Sequence, residues 1–123
     1  EVTSVDADPD VFPFLKVAAE LNGVATTPLV SRFEQLKRKQ LKNHDMLIAA
    51  DICFWDELVK PVTSMVNRAL DAGVKRIMIA DPERSTFLEM AERCVDRHGG
   101  ELVEWRTKGS VGARGSILII DNA

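Results

Sequence analysis

Apolar and polar positions along the chain switch repeatedly between a strand-like and a helix-like period. Val2 to Val5 is a short β-branched run that Asp6-Ala7-Asp8-Pro9-Asp10 closes with turn and cap chemistry. Val11, Phe14, Leu15, Ala18 and Leu21 then recur at helical spacing, with Pro13 tolerable only near a first turn and Asn22-Gly23 as the stop. Thr26 to Ser31 reads as a short strand weakened by Pro28. Phe33 to Lys42 reads as a polar helix, with Lys37, Arg38, Lys39 and Lys42 forming a solvated face rather than a binding site. Met46 to Ala50 is a short apolar run followed by Asp51 and a loop containing Phe54 and Trp55. Leu58, Val62, Met65, Val66, Ala69 and Leu70 make one helical stripe that Gly73 ends. Arg76 to Ala80 repeats the pattern: Asp81-Pro82 lies at the strand end, Ser85 is a candidate N-cap, and Phe87, Leu88, Ala91, Cys94 and Val95 face inward as far as Gly99-Gly100. After that, Glu101 to Thr107 alternates, a loop holds Gly109, Gly112 and Gly115, and Ser116 to Asp121 is continuously apolar. No helix fits between these last two strands.

Alternating strands and helices predict an α/β fold, a doubly wound and mostly parallel sheet with helices on both faces. The tail adds a C-terminal antiparallel hairpin. Continuously apolar strands belong under cover on both faces, so those at Met46, Arg76 and Ser116 are expected to be central and the one at Glu101 peripheral. Trp105 on that peripheral strand is expected to pack against a helix. At 123 residues the chain is one domain's worth of sequence.

Charge and composition narrow the classes of partner. The net charge of -3, from 19 acidic and 16 basic side chains, supplies no overall field for nucleic acid or an anionic membrane, so neither is expected as a partner. Apolar stretches such as Ile77 to Ala80 and Ile117 to Ile120 fall far short of the roughly 20 residues a membrane span needs. Cys53 and Cys94 form no CxxC pair and have no His or Cys neighbours at metal-ligand spacing, so a reduced, cytoplasmic setting is expected, with both thiols as small core residues and no metal. His44 and His98 have no Ser, Cys or second His placed for nucleophilic or metal chemistry and read as structural or solvated. The chain contains no GxGxxG, no Walker loop and no zinc signature.

Ligands of open α/β sheets bind beyond the carboxyl ends of the strands, and three strands here end in acids. Asp6 can accept both hydroxyls of a ribose, or it and Asp8 can cap the turn and helix that follow. Asp51-Ile52-Cys53-Phe54-Trp55-Asp56 suits a substrate cleft, in which a carboxylate beside aromatic walls orients an amine. The alternative has Phe54 and Trp55 packing a loop and Asp56 capping the next helix. In Asp81-Pro82-Glu83-Arg84 an Asp to Arg ion pair that shapes the loop is favoured over catalysis.

Several of these segments, in order, resemble the seven-stranded class I S-adenosylmethionine-dependent methyltransferases, a Rossmann-like fold. They are Val2-Thr3-Ser4-Val5-Asp6-Ala7-Asp8, Leu21-Asn22-Gly23-Val24, Ala49-Ala50-Asp51-Ile52-Cys53-Phe54-Trp55, Ile79-Ala80-Asp81-Pro82-Glu83-Arg84 and the terminal hairpin. The group of lysine and nicotinamide N-methyltransferase-like proteins is the nearest in character. Its acid-to-aromatic segment after strand four is matched by Asp51 to Phe54, and its DPGR-like loop by Asp81 to Arg84, with Glu83 in place of the usual Gly. The resemblance implies that Asp6 binds the cofactor ribose, that Ala7 lies against the adenine, and that Ser31 to Phe33, including Arg32 and Phe33, fall in the adenine-contacting loop, where an acid is more usual than Arg32. It also implies that Asp51 and Phe54, with Trp55 nearby, line the methyl-acceptor site, with Asp51 an orienting group first and a general base second.

Family members carry a strand and a glycine-rich turn ahead of the segment that opens this chain, and that first strand lies in the middle of their sheet. Both are absent here, and the chain begins at Glu1 with no initiator Met. The expectation is therefore a single incomplete methyltransferase-like domain over residues 1–123, a fragment inactive by itself, or one whose gap is repaired by pairing in a homo-oligomer. The full-length enzyme would methylate an amine in a protein or a small molecule. The alternative is a non-catalytic Rossmann-like interaction or scaffold domain.

Overall fold

The chain opens on a strand, a helix and a second strand parallel to the first. The computed structural model describes residues 1–109 and 112–122, and it comprises two compact units, residues 1–36 and residues 37–123. In the first unit, β1 (Thr3–Asp6) pairs in parallel with β2 (Thr27–Val30), with Thr3 opposite Thr27 and Asp6 opposite Val30. Pro28 is accommodated because the N–H groups of Thr27 and Ser31 donate to Val2 and Asp6 carbonyls; with a period of two, the nitrogen of Pro28 points away from β1. Helix α1 (Phe12–Leu21) makes the crossover and has Pro13 in its first turn, as the sequence requires. Its expected inward stripe is not buried, however: Phe14 is 79% and Leu21 84% exposed. Two strands of four residues offer a ten-residue helix too little surface to cover.

The expected polar helix from Phe33 to Lys42 is broken into a 3-10 turn at Phe33–Gln35 and a short helix α2 (Arg38–Leu41). Two glutamines account for the break. Gln35 Oε1 accepts the backbone N–H of Arg32 at 2.9 Å and Gln40 Oε1 that of Lys37 at 3.0 Å, so each turn is closed by its own side chain. Between them Leu36 and Lys37 are extended, at ψ 106° and 158°.

The second unit is a four-stranded sheet in the order β3 (Met46–Ala50), β4 (Arg76–Asp81), β6 (Arg114–Asp121), β5 (Glu101–Arg106). β3 and β4 run parallel with Met46 opposite Arg76. β6 is antiparallel to both its neighbours, with Leu118 opposite Ile79 and Leu102. Helices α3 (Asp56–Asp71) and α4 (Ser85–His98) follow β3 and β4 and bury Val62, Met65 and Val66 from one, Phe87, Met90 and Cys94 from the other. Ile77, Ile79, Leu118 and Ile120, all on one face of the sheet, complete this core.

The hairpin expected from the alternating and continuous apolar runs is present, and the fold is the expected Rossmann-like mixture of parallel strands with an antiparallel part. Three details differ. β3 is not central within its sheet but outermost, with Met46 50% and Ile48 71% exposed, because its unit covers only one face of the strand. Trp105 lies across Gly115 of β6: a Cβ on Gly115 would stand 3.0 Å from the indole, a closeness only glycine permits, so the expected packing on a helix is replaced by packing on a strand. For the same reason Gly115 belongs to β6 and not to the loop. Among the described residues no helix is long and apolar enough to cross a membrane.

Candidate functional site

Two strand ends of the second unit are tied together by one arginine. Arg84, just before α4, donates its backbone N–H to Asp81 Oδ2 at 2.8 Å, and its Nη1 donates both to Asp81 Oδ1 at 2.8 Å and to Asp51 Oδ1 at 2.7 Å. The Asp81 side chain is 1% exposed, so its charge is matched by the guanidinium and by the N–H bond at the start of the helix. The loop-shaping Asp81 to Arg84 pair expected from the sequence is present, and the same guanidinium also reaches Asp51. That hydrogen bond to Asp51, with the contacts to Asp81, raises the Arg84 pKa above its ordinary value against an opposing effect of burial.

Both loops contain a residue in the left-handed region. Asp51 has φ 57° and Glu83 φ 77°. At Glu83 this is a conformation that favours glycine. Here the strain is met by side-chain ties to the hairpin: Ser116 Oγ donates to Glu83 Oε1 at 2.9 Å, and Arg114 Nε lies 3.5 Å from Glu83 Oε2. Asp51 keeps its backbone N–H in the ladder, donating to Ala80 O at 3.0 Å.

Beyond Asp51 the loop is anchored by Cys53, which is fully buried and whose carbonyl accepts the hydroxyl of Thr86 in α4. Burial pushes the Cys53 thiol up to about 11, as it does for Cys94, so both are inert core thiols, as the sequence suggests. Phe54 and Trp55 remain 44% and 65% exposed and meet edge to face at 5.0 Å. Asp56 is the first residue of α3, with Trp55 in the capping position, and Asp56 and Glu57 suit the positive end of the helix.

In the first unit the parallel pairing sets Asp6 opposite Val30, and Ser31 N–H donates to Asp6 O at 3.0 Å; Arg32 and Phe33 follow Ser31 in the chain. Asp6 Oδ1 accepts the N–H of Asp8, and Asp8 Oδ1 that of Asp10, each at 2.9 Å. The turn therefore uses one lone pair of an exposed carboxylate and fixes its direction, and the remaining capacity fits a ribose diol. The glycines of the sequence lie at helix ends and in the hairpin. Among the described residues no group of three His, Cys, Asp or Glu is placed to hold a metal. The ties from Arg84 to Asp51 and from Glu83 to Ser116 each span 33 residues, and no local sequence signal marks them.

No family model matches the chain, and no curated protein matches its sequence. Solved structures do. A human methyltransferase 10 domain containing protein has TM-score 0.67 at 10% identity, over 98% of this chain and 60% of that one. An rRNA methylase from Streptococcus thermophilus has TM-score 0.67 at 11% identity, over 99% and 73%. Magnesium protoporphyrin IX methyltransferase from Synechocystis, solved with S-adenosylmethionine bound, has TM-score 0.67 at 14% identity, over 99% and 59%. Several of these structural neighbours are class I S-adenosylmethionine-dependent methyltransferases, and the chain shares their fold. It spans about three fifths of the length of the first two matched chains. One neighbour is named as an rRNA methylase, so the fold gives no support to the expectation, drawn from net charge, that nucleic acid is excluded.

Proposed function

We propose that this chain belongs to an S-adenosylmethionine-dependent methyltransferase that methylates an amine nitrogen of a protein lysine or a small molecule. One observation carries the reading: in a fold shared with methyltransferases, the Asp51 carboxylate is held by Arg84 at the carboxyl ends of β3 and β4, on the loop that also carries the exposed Phe54 and Trp55 rings. S-adenosylmethionine, when bound, supplies a methyl group on an electrophilic sulfonium. What the chain has to add is alignment and exclusion of water. Asp6 would take the ribose hydroxyls, with Ala7, Arg32 and Phe33 against the adenine. In the second unit Asp51 accepts an N–H of the neutral acceptor amine and so aims its lone pair, while Phe54 and Trp55 wall the amine off from solvent.

Calorimetry with S-adenosylmethionine tests this on the 123-residue chain and on a form extended upstream. Binding is expected in the extended form, weakened about 10- to 100-fold by Asp6→Ala through the loss of hydrogen bonds to a charged acceptor. Undiminished binding by that variant would remove Asp6 from the ribose site. Binding by neither form would favour the second reading, a non-catalytic scaffold, for which the solvent-facing apolar residues Phe14, Leu21 and Ile48 are the supporting observation.

A further inference from the structure

We propose that Arg84 is the positioning residue of the acceptor site: anchored by the buried Asp81, its guanidinium fixes the Asp51 carboxylate and with it the loop bearing Phe54 and Trp55. The functional half of this proposal rests on the methyltransferase reading above.

The argument runs outward from the core. Asp81 at the end of β4 is almost without solvent, and a buried carboxylate holds its charge only with a partner in place. Arg84 is that partner twice over, through its backbone N–H and through Nη1. The guanidinium is thus located before Asp51 is considered. Its Nη1 then reaches Asp51 Oδ1 at 2.7 Å, and this second carboxylate is 61% exposed and sits on a residue at φ 57°. Asp enters that region more readily than most L-residues, and the ion pair adds a side-chain tie that holds it there. With Oδ1 occupied, Oδ2 is left to accept an N–H from the acceptor, and the direction of that bond is set by Arg84. Phe54 and Trp55, three and four residues further on, lie on the same loop, which the Asp51 tie holds at its start and the Cys53 carbonyl bond to Thr86 holds in its middle.

The test uses the complete polypeptide with Arg84→Met and Arg84→Lys. For Arg84→Met, kcat is expected to fall about 10- to 100-fold while KM for S-adenosylmethionine stays within about twofold, since a misplacement of about 1 Å is worth that much in rate. Arg84→Lys, whose ammonium can still bridge two carboxylates as a point charge, recovers part of the loss. Amide hydrogen exchange gives a readout independent of activity: residues 51–55 exchange faster in Arg84→Met, whereas the β5–β6 hairpin is unchanged. An unaltered kcat with unaltered exchange at 51–55 overturns the proposal. If the wild-type polypeptide transfers no methyl group, the methyltransferase reading fails separately, and unaltered exchange in Arg84→Met still refutes the positioning role. Should Arg84→Met not fold, Arg84→Gln replaces it: an amide can serve Asp81 but cannot bridge two carboxylates as a cation, and an unchanged kcat there refutes the role equally.

Discussion

Glu83 offers a measurement of backbone strain against side-chain tether. Its φ of 77° costs an L-residue roughly 1–2 kcal/mol. Against this, its carboxylate satisfies Ser116, 1% exposed, at 2.9 Å. Leaving that hydroxyl without a partner costs about 1–3 kcal/mol. The contact with Arg114 adds little, because the arginine side chain is 64% exposed. Glu83→Ala loses the tether and keeps the strain, so it should be about 1–3 kcal/mol less stable than wild type. Glu83→Gly loses the same tether but relieves the strain, offset in part by the greater freedom of glycine in the unfolded chain, about 0.4–1 kcal/mol. The glycine variant should therefore lie above the alanine variant by about 1 kcal/mol and still below wild type. Urea unfolding followed by the fluorescence of Trp105, which lies across Gly115 next to Ser116, reads this as a midpoint difference of about 0.5 M. An alanine variant as stable as the glycine variant would refute the strain account, and wild-type stability in both would refute the tether.

Two further tests address other contacts. Gly115→Ala places a Cβ 2.8 Å from the backbone carbonyl of Asp81 and 3.0 Å from the Trp105 ring, so β6 must shift; a loss of about 1–3 kcal/mol is expected by urea titration, and a neutral result would mean that the strands part freely. His98, hydrogen-bonded to Asn67, has its pKa lowered by burial first and by the charge of Arg97 second, with Asp71 acting in the opposite sense. The unfolded chain then binds more protons than the folded one, so this contribution to stability is present above the ordinary histidine value of about 6.5 and is lost as pH falls below it. Unfolding midpoints from about pH 7.5 to 5.5 should show the decline, and His98→Gln should flatten it; an unchanged slope in that variant would remove His98 as its source.

Much of the fold is written in local pattern. The β1 turn, the stop at Asn22-Gly23, both long helices and the terminal hairpin follow from periodicity and from glycine or aspartate at the right place. Position within a sheet does not. Met46 to Ala50 is apolar on both faces, which says that the strand tolerates cover but not that its own unit provides it. The region from Phe33 to Lys42 has helical composition, yet Gln35 and Gln40 each bond backwards to the main chain and divide it. For the candidate site, the residue types at the strand ends were legible from the rule that ligands gather there. The bridge from Arg84 to Asp51 was not, because it joins two loops 33 residues apart.

β3 carries an ion pair at each end. Just before the strand, Asp45 meets Lys75 at 2.7 Å, and just after it, Asp51 meets Arg84 at 2.7 Å. Between them the outermost strand of the sheet has five uncharged residues, Met46 to Ala50. Such a strand invites pairing with any extended chain, in the manner that seeds aggregates. Charges at both ends make that encounter expensive, since an incoming apolar strand long enough to match β3 would have to strip water from both pairs. The Asp51 to Arg84 contact is in this sense also a gatekeeper of solubility, and a substitution there puts at risk the yield of the protein as well as the geometry of its loop.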